Sequence, residues 1–198
     1  ETKNYLDKKI IEKLQSFNPM SFVHCAWSGV LGNERNNRIQ ENNVELSINS
    51  VKLAKKIGCY NWIGLGSQAE YGSQKTKTNE SLKCKPTTLY GKYKLESGIK
   101  CLDLSKKLNL QAKWVRVFST YGPLDNDSWL IPYLIKCLLK NKTPQLTDCN
   151  QFWDFLHVED AVKAIIKLTK SSGTGIFNLG SSEPRMLKEY VSIVCEQI

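Results

Sequence analysis

The sequence has no Cys-x-x-Cys pair among its seven cysteines and only two histidines, so neither a zinc-ligand pattern nor a disulfide framework can be read from it. Most of the cysteines sit in apolar runs such as Phe22-Val23-His24-Cys25-Ala26, where a reduced thiol behaves as a small hydrophobe. Reduced thiols predict a cytoplasmic location. No apolar run is long enough to cross a bilayer, and neither a signal peptide nor a membrane partner is expected. Low-complexity tracts and internal repeats are also missing. Basic residues outnumber acidic ones 28 to 19, yet the excess never gathers into an aromatic-laced run. The lysines are scattered as Lys55-Lys56, Lys75, Lys77, Lys106-Lys107 and Lys136 to Lys142. This disfavours a nucleic-acid partner and leaves a solvated lysine-rich surface, with attraction of a phosphorylated small molecule as a secondary reading.

What is present is an alternation of apolar patterns. Leu6, Ile10, Ile11 and Leu14 recur at helical spacing within Tyr5 to Phe17. The short run Ser21 to Ala26 reads as a strand buried on both faces, and Gly32 to Arg38 as a polar loop. Val44, Ile48, Val51, Leu53 and Ala54 mark a helix that stops at Gly58, a glycine C-cap. Trp62 to Gly66 is a second buried strand with Ser67 just beyond it. The polar segment Ser73 to Thr88, broken by Pro86, leads into a long helix from about Leu89 to Leu108. Gln111 to Phe118 is a third strand. Helical spacing returns over Trp129 to Lys140, and Phe152 to His157 is a strand-like run. A helix follows from Val158 to Thr169, opened by Glu159 and Asp160. Gly175 to Gly180 is a further strand and Leu187 to Ile198 a last helix. Strands alternating with helices predict an α/β fold built on a parallel sheet, whose ligands collect beyond the carboxyl ends of the strands.

At one such end stands the chemistry. Tyr90 and Lys94, four residues apart on a helix, share one face a turn apart. A neighbouring ammonium favours the phenolate, so Tyr90 beside Lys94 is expected to act as acid or base near neutral pH, with the Ser67 hydroxyl holding the reacting oxygen. Alone, the spacing fits a solvated lysine-rich helix face equally well.

Context decides between the two. Val23-His24-Cys25-Ala26, Gly66-Ser67 with Tyr71-Gly72, Tyr90-x-x-x-Lys94, Arg116-Val-Phe-Ser-Thr-Tyr-Gly-Pro123 and Phe155-Leu-His-Val-Glu-Asp160 follow the order and spacing of the extended short-chain dehydrogenase/reductases. From Phe22 to Gly180 the chain resembles their NAD-dependent epimerase/dehydratase branch, which works on nucleotide sugars. The resemblance implies a doubly wound Rossmann-type sheet, NAD or NADP as cofactor, a nucleoside-diphosphate sugar as substrate and a homodimer formed through a helix pair. It divides the chain into a partial dinucleotide-binding domain, residues 1–122, and a mixed region with substrate-binding segments, residues 123–198. Tyr90 would be the acid/base, Lys94 would lower its pKa and hold the nicotinamide ribose, and Ser67 would bind the substrate oxygen. Cys25, Ala26 and Trp27 would lie along the cofactor, and Phe118 would flank it. Gln68, Ser119 and Thr120 would face the substrate. Asn43 matches an asparagine that opens the family's following helix, in a structural or a cofactor role.

The departures from the family pattern carry information too. The glycine-rich phosphate turn that should come first is not found, so the chain reads as an internal stretch of a longer enzyme. Ser119 stands where an asparagine is common, and Trp153 where an arginine often precedes Asp154; an indole cannot bind a diphosphate bidentately. The family's 4,6-dehydratases carry an Asp and a Glu directly after the hydroxyl residue, whereas this chain has Gln68 and Ala69. Glu70, one place later, is expected to point elsewhere. The resemblance therefore implies hydride transfer without dehydration: reduction of a 4-keto-6-deoxyhexose, as in deoxysugar biosynthesis for bacterial surface glycans. A nucleotide-sugar 4-epimerase and a non-catalytic dinucleotide-binding protein of the same fold stay open as alternatives. His24 reads as a hydrogen-bonded core residue, His157 as a helix cap, and Trp62, Trp114 and Trp129 as core or interface. Trp27 is either packing or substrate-facing. Leu95, Ile99 and Leu102 form a stripe that is core or part of the helix-pair interface.

Overall fold

The computed structural model describes residues 7–74 and 76–198. Tyr5 and Leu6 of the expected first helix and Lys75 of the expected loop lie outside them. Helix α1, Lys8–Gln15, starts where the Asp7 carboxylate accepts from the Lys9 and Ile10 amides, an N-cap that satisfies two otherwise orphaned donors. Next come β1 (Ser21–His24), α2 (Ile39–Lys56), β2 (Asn61–Ser67), α3 (Leu89–Lys107) and β3 (Gln111–Val117). The chain then forms β4 (Ser119–Tyr121), α4 (Leu130–Leu139), β5 (Phe152–Trp153), β6 (Phe155–His157), α5 (Val158–Lys170), β7 (Gly175–Leu179), β8 (Arg185–Met186) and α6 (Leu187–Gln197).

Two compact units result. One runs through Val117 and takes in Ile166–Asn178; the other comprises Phe118–Ile165 and Leu179–Ile198. The first is built on a sheet in the order β1-β2-β3-β7, with β1, β2 and β3 parallel. The expectation of a parallel α/β sheet is met. The expectation that β1 is buried on both faces is not: β1 pairs only with β2, and Val23 is 37 % exposed. An edge strand has one neighbour to cover it, whereas β2 between two neighbours is buried almost throughout.

The core of this unit gathers Val51, Leu53, Ala54, Ile57, Trp62, Cys101, Leu110 and Trp114. Trp62 and Trp114 stack with centroids 6.2 Å apart, and the sequence makes room for them with glycine. A Cβ at Gly64 would lie 2.2 Å from the Trp62 ring, and one at Gly98 would lie 2.7 Å from Trp114 Nε1. The close approach of α3 to β3 thus depends on Gly98. Gly58, with φ +91°, takes the left-handed turn that ends α2, and the Cys59 amide reaches back to the Ala54 carbonyl.

In the second unit β4 runs parallel to β6 and β5 antiparallel to β8. Both β4 and β8 are too short to show a period in the sequence. Asp154 ties this unit together, its carboxylate accepting from the Ser181 and Ser182 amides at 2.7 and 3.1 Å. Tyr121, Phe155 and Tyr190 pack edge to face. Trp129 is 42 % exposed and so is not core, because it sits at the start of α4 ahead of that helix's buried stripe. His157 does cap α5, its Nδ1 lying 3.4 Å from the Glu159 amide. Among the described residues no helix is long and apolar enough to cross a membrane.

Candidate active site

Three side chains converge where β2 ends and α3 begins. Ser67 is the last residue of β2 rather than a loop residue beyond it, and its hydroxyl accepts from the Ala69 amide to start the 3₁₀ turn Gln68–Glu70. Helix α3 starts with Thr88, whose hydroxyl accepts from the Gly91 amide. Gly91 is what lets the two meet: a Cβ there would lie 2.3 Å from the Ala69 carbonyl oxygen, so only glycine allows α3 to press against that turn. Tyr90, directly before it, is thereby brought into hydrogen-bonding contact with the Ser67 hydroxyl.

Lys94, one turn on, donates to the Leu65 carbonyl at 2.7 Å. Its ammonium sits 3.8 Å from the centre of the Trp27 ring and 5.7 Å from that of Tyr90. Burial pulls the Lys94 pKa down to about 7, against the opposing pull of Glu70 and Cys25. Tyr90 moves the other way. Burial raises its phenol above the ordinary value, with the Ser67 hydrogen bond and the Arg35 charge working to lower it and the Glu70 charge to raise it. The expectation that Lys94 lowers the Tyr90 pKa is therefore corrected. The cation acting on the phenol is Arg35, whose guanidinium lies 4.2 Å from the ring centre, while Lys94 is spent on Leu65 and Trp27. Arg35 falls in a stretch that reads only as polar loop, and its neighbours in sequence give no sign of this contact.

The remaining expected positions sort by place. Cys25 and Ala26 follow the end of β1 and are exposed. Burial raises the Cys25 thiol pKa, and the Lys94 charge opposes the rise. Trp27 meets Tyr90 edge to face at 6.0 Å, and its Nε1 donates to Gln40 at 2.8 Å. Gln68 is half-buried in the turn after Ser67. Phe118, Ser119 and Thr120 belong to the other unit. Ser119 and Thr120 do not end a strand of the four-stranded sheet, as expected, but form β4, paired with β6. The Ser119 hydroxyl accepts from Trp153 Nε1 at 2.6 Å, so two positions at which the chain departs from the family pattern contact each other. Asn43 is structural, its amide accepting from the Ser28 N–H at 2.9 Å and donating to the Ser28 carbonyl at 3.0 Å. His24 is buried against Trp62 and Ser47, and desolvation lowers its pKa to about 4.

Sequence reading missed the depth of Glu70. It is fully buried, accepting from the Ser67 amide at 2.8 Å, Trp114 Nε1 at 2.9 Å and Arg116 Nε at 2.7 Å.

The arrangement offers two hydroxyls and an amine at one strand end. Lys94 spends one of its three donors on Leu65, leaving a set suited to vicinal hydroxyls and to a carbonyl oxygen. A Ser-Tyr-Lys group beyond a parallel strand defines the short-chain dehydrogenase/reductase class. Within it, the chain belongs to the NAD dependent epimerase/dehydratase family, whose model matches residues 2–180.

Two solved structures are close in fold. UDP-N-acetylglucosamine 4-epimerase from Methanobrevibacter ruminantium M1 superposes with a TM-score of 0.86 at 20 % identity, covering 99 % of this chain and 65 % of that one. UDP-glucuronic acid 4-epimerase from Bacillus cereus, solved with NAD, gives 0.82 at 21 % identity, covering 94 % and 62 %. CDP-abequose synthase of Salmonella muenchen is 30 % identical over 83 residues, 40 % of this chain and 28 % of that protein. The chain thus spans less than two thirds of the length of each.

Proposed function

We propose that the protein is an NAD- or NADP-dependent oxidoreductase that reduces a nucleoside-diphosphate 4-keto-6-deoxyhexose at C4, with Tyr90 as proton donor. The observation that carries this reading is the gathering of Ser67, Tyr90 and Lys94 with no carboxylate free beside them. Gln68 and Ala69 follow Ser67, and Glu70 is ion-paired to Arg116 out of a substrate's reach. Eliminating water from a sugar needs an acid and a base poised on neighbouring carbons, and this turn supplies neither.

A dinucleotide bound along Cys25, Ala26 and Trp27, with Phe118 flanking it, supplies the hydride. Lys94 holds its ribose hydroxyls through the donors not spent on Leu65. As the C4 carbonyl carbon gains hydride, its oxygen takes up negative charge and then the Tyr90 proton, while the Ser67 hydroxyl holds that oxygen in place. A phenol kept protonated by burial is a competent donor at neutral pH, which suits the reductive direction. Gln68, Ser119 and Thr120 complete the substrate contacts. Two copies pair through α2 and α3, where Ile99 is 54 % exposed.

The second reading is a 4-epimerase, favoured by both solved structures named above. Incubation with 4-keto-6-deoxy and ordinary nucleotide hexoses separates the two. A reductase consumes one reduced dinucleotide per sugar, whereas an epimerase inverts C4 with no net consumption. Dinucleotide binding with neither outcome would replace both with a non-catalytic role.

A further inference from the structure

We propose that Glu70 is a positioning residue for this site, holding the Ser67 turn rigid from below and setting the charge balance of the Tyr90 and Lys94 pair. The inference rests on the reading of Ser67, Tyr90 and Lys94 as the reacting group. Its basis is geometric. Glu70 is completely inaccessible, and its two oxygens take three donors from three places: the Ser67 amide on β2 and the Trp114 indole and Arg116 guanidinium on β3. Ser67 and Glu70 form a reciprocal cap, the serine hydroxyl accepting within the turn while the carboxylate accepts from the serine backbone. The orientation of the Ser67 hydroxyl, and with it the Tyr90 hydrogen bond, is therefore fixed through Glu70. Trp114 is itself immobilised, since Gly66 and Gly98 both lie against it with no space for a Cβ. A buried carboxylate anchored to so rigid a partner transmits little slack to the turn it holds.

The charged and titratable groups around this unit are few. Arg116 pairs with Glu70 and lies 4.5 Å from the centre of the Tyr71 ring, and Cys84 feels both charges of the pair. Tyr90 faces Arg35 and Glu70; Lys94 faces Glu70, Cys25 and His24. Glu70 is the anion common to Tyr90 and Lys94, and it favours the protonated form of each. Removing it should therefore make both groups easier to deprotonate.

The test is Glu70→Gln, which keeps the shape and an acceptor for the Ser67 amide. Because that change strands Arg116 without its counter-ion, Glu70→Gln/Arg116→Met is prepared beside it, removing both charges together. Carbon-13 NMR of labelled lysine side chains follows the Lys94 titration, assigned by its loss in Lys94→Met. The expected result in both variants is a Lys94 midpoint below its wild-type value near 7. Turnover is expected to fall roughly tenfold to a hundredfold in kcat with KM little changed, the scale of a misplaced reacting group. The losses in Glu70→Gln and Ser67→Ala should also be non-additive when combined. An unchanged Lys94 midpoint together with additive losses would overturn the proposal. The NMR midpoint needs no turnover, so an active Tyr90→Phe enzyme would defeat the functional reading without deciding this one.

Discussion

Lysine 94 gives the site a thermodynamic signature that can be read without substrate. Its amine is 5 % exposed, and burial takes its pKa from 10.5 to about 7. Below pH 7 the amine is charged in both the folded and the unfolded chain, and the folded state bears the full cost of the buried charge. Between pH 7 and 10.5 the unfolded chain binds the extra proton and the folded chain does not, so the cost shrinks as pH rises. Above 10.5 it is gone. At about 1.4 kcal/mol per pH unit the full cost is roughly 5 kcal/mol. Lys94→Met removes it while losing a hydrogen bond to Leu65 and a cation–π contact with Trp27, together about 2–4 kcal/mol. The net expectation at pH 6 is a variant more stable by roughly 1–3 kcal/mol, with the gain fading through pH 7–10 and reversing beyond, where only the lost contacts count. Urea denaturation followed by tryptophan fluorescence at a series of pH values measures this directly. A variant destabilised to the same extent at every pH would refute the argument. A variant that is both more stable at pH 6 and inactive would show a group held for chemistry at the expense of stability.

Other consequences follow from the same geometry. Ser67→Ala should lower turnover by less than loss of the phenol does, since Tyr90 still carries the proton; steady-state kinetics checks the ranking. Gly98→Ala should destabilise by about 1–3 kcal/mol, because its Cβ would lie 2.7 Å from a fixed Trp114 and this overpacking exceeds the gain in helix propensity. Thermal unfolding measures it, and a stabilised variant would contradict the packing described. His24, neutral down to about pH 4 when folded and to 6.5 when unfolded, should make stability fall as pH drops below 6.5, a trend reduced in His24→Gln.

Much of this was legible in the sequence because the elements around the site are locally encoded. The glycine stop at Gly58, the buried run of β2 and the Tyr90-Gly91 start of α3 all lie in unambiguous local patterns. What escaped was set by contacts distant in sequence. The single-neighbour position of β1 depends on strand order, and the two-residue strand β8 exists only through its pairing with β5. Arg35 reaches Tyr90 across more than fifty residues of chain, and Glu70 finds Arg116 at a separation of 46. The sign of the Tyr90 pKa was misjudged for a related reason. Spacing on a helix places a lysine nearby but says nothing of burial, and burial is the largest influence on both groups.

The central claim is that the Tyr90 phenol supplies the proton when a nucleotide-linked 4-keto sugar is reduced. Consumption of reduced dinucleotide, followed at 340 nm with a nucleoside-diphosphate 4-keto-6-deoxyhexose, should be rapid for the wild type and reduced roughly a hundredfold or more in a folded Tyr90→Phe variant. A Tyr90→Phe enzyme that consumes the dinucleotide at a near-normal rate would contradict the account.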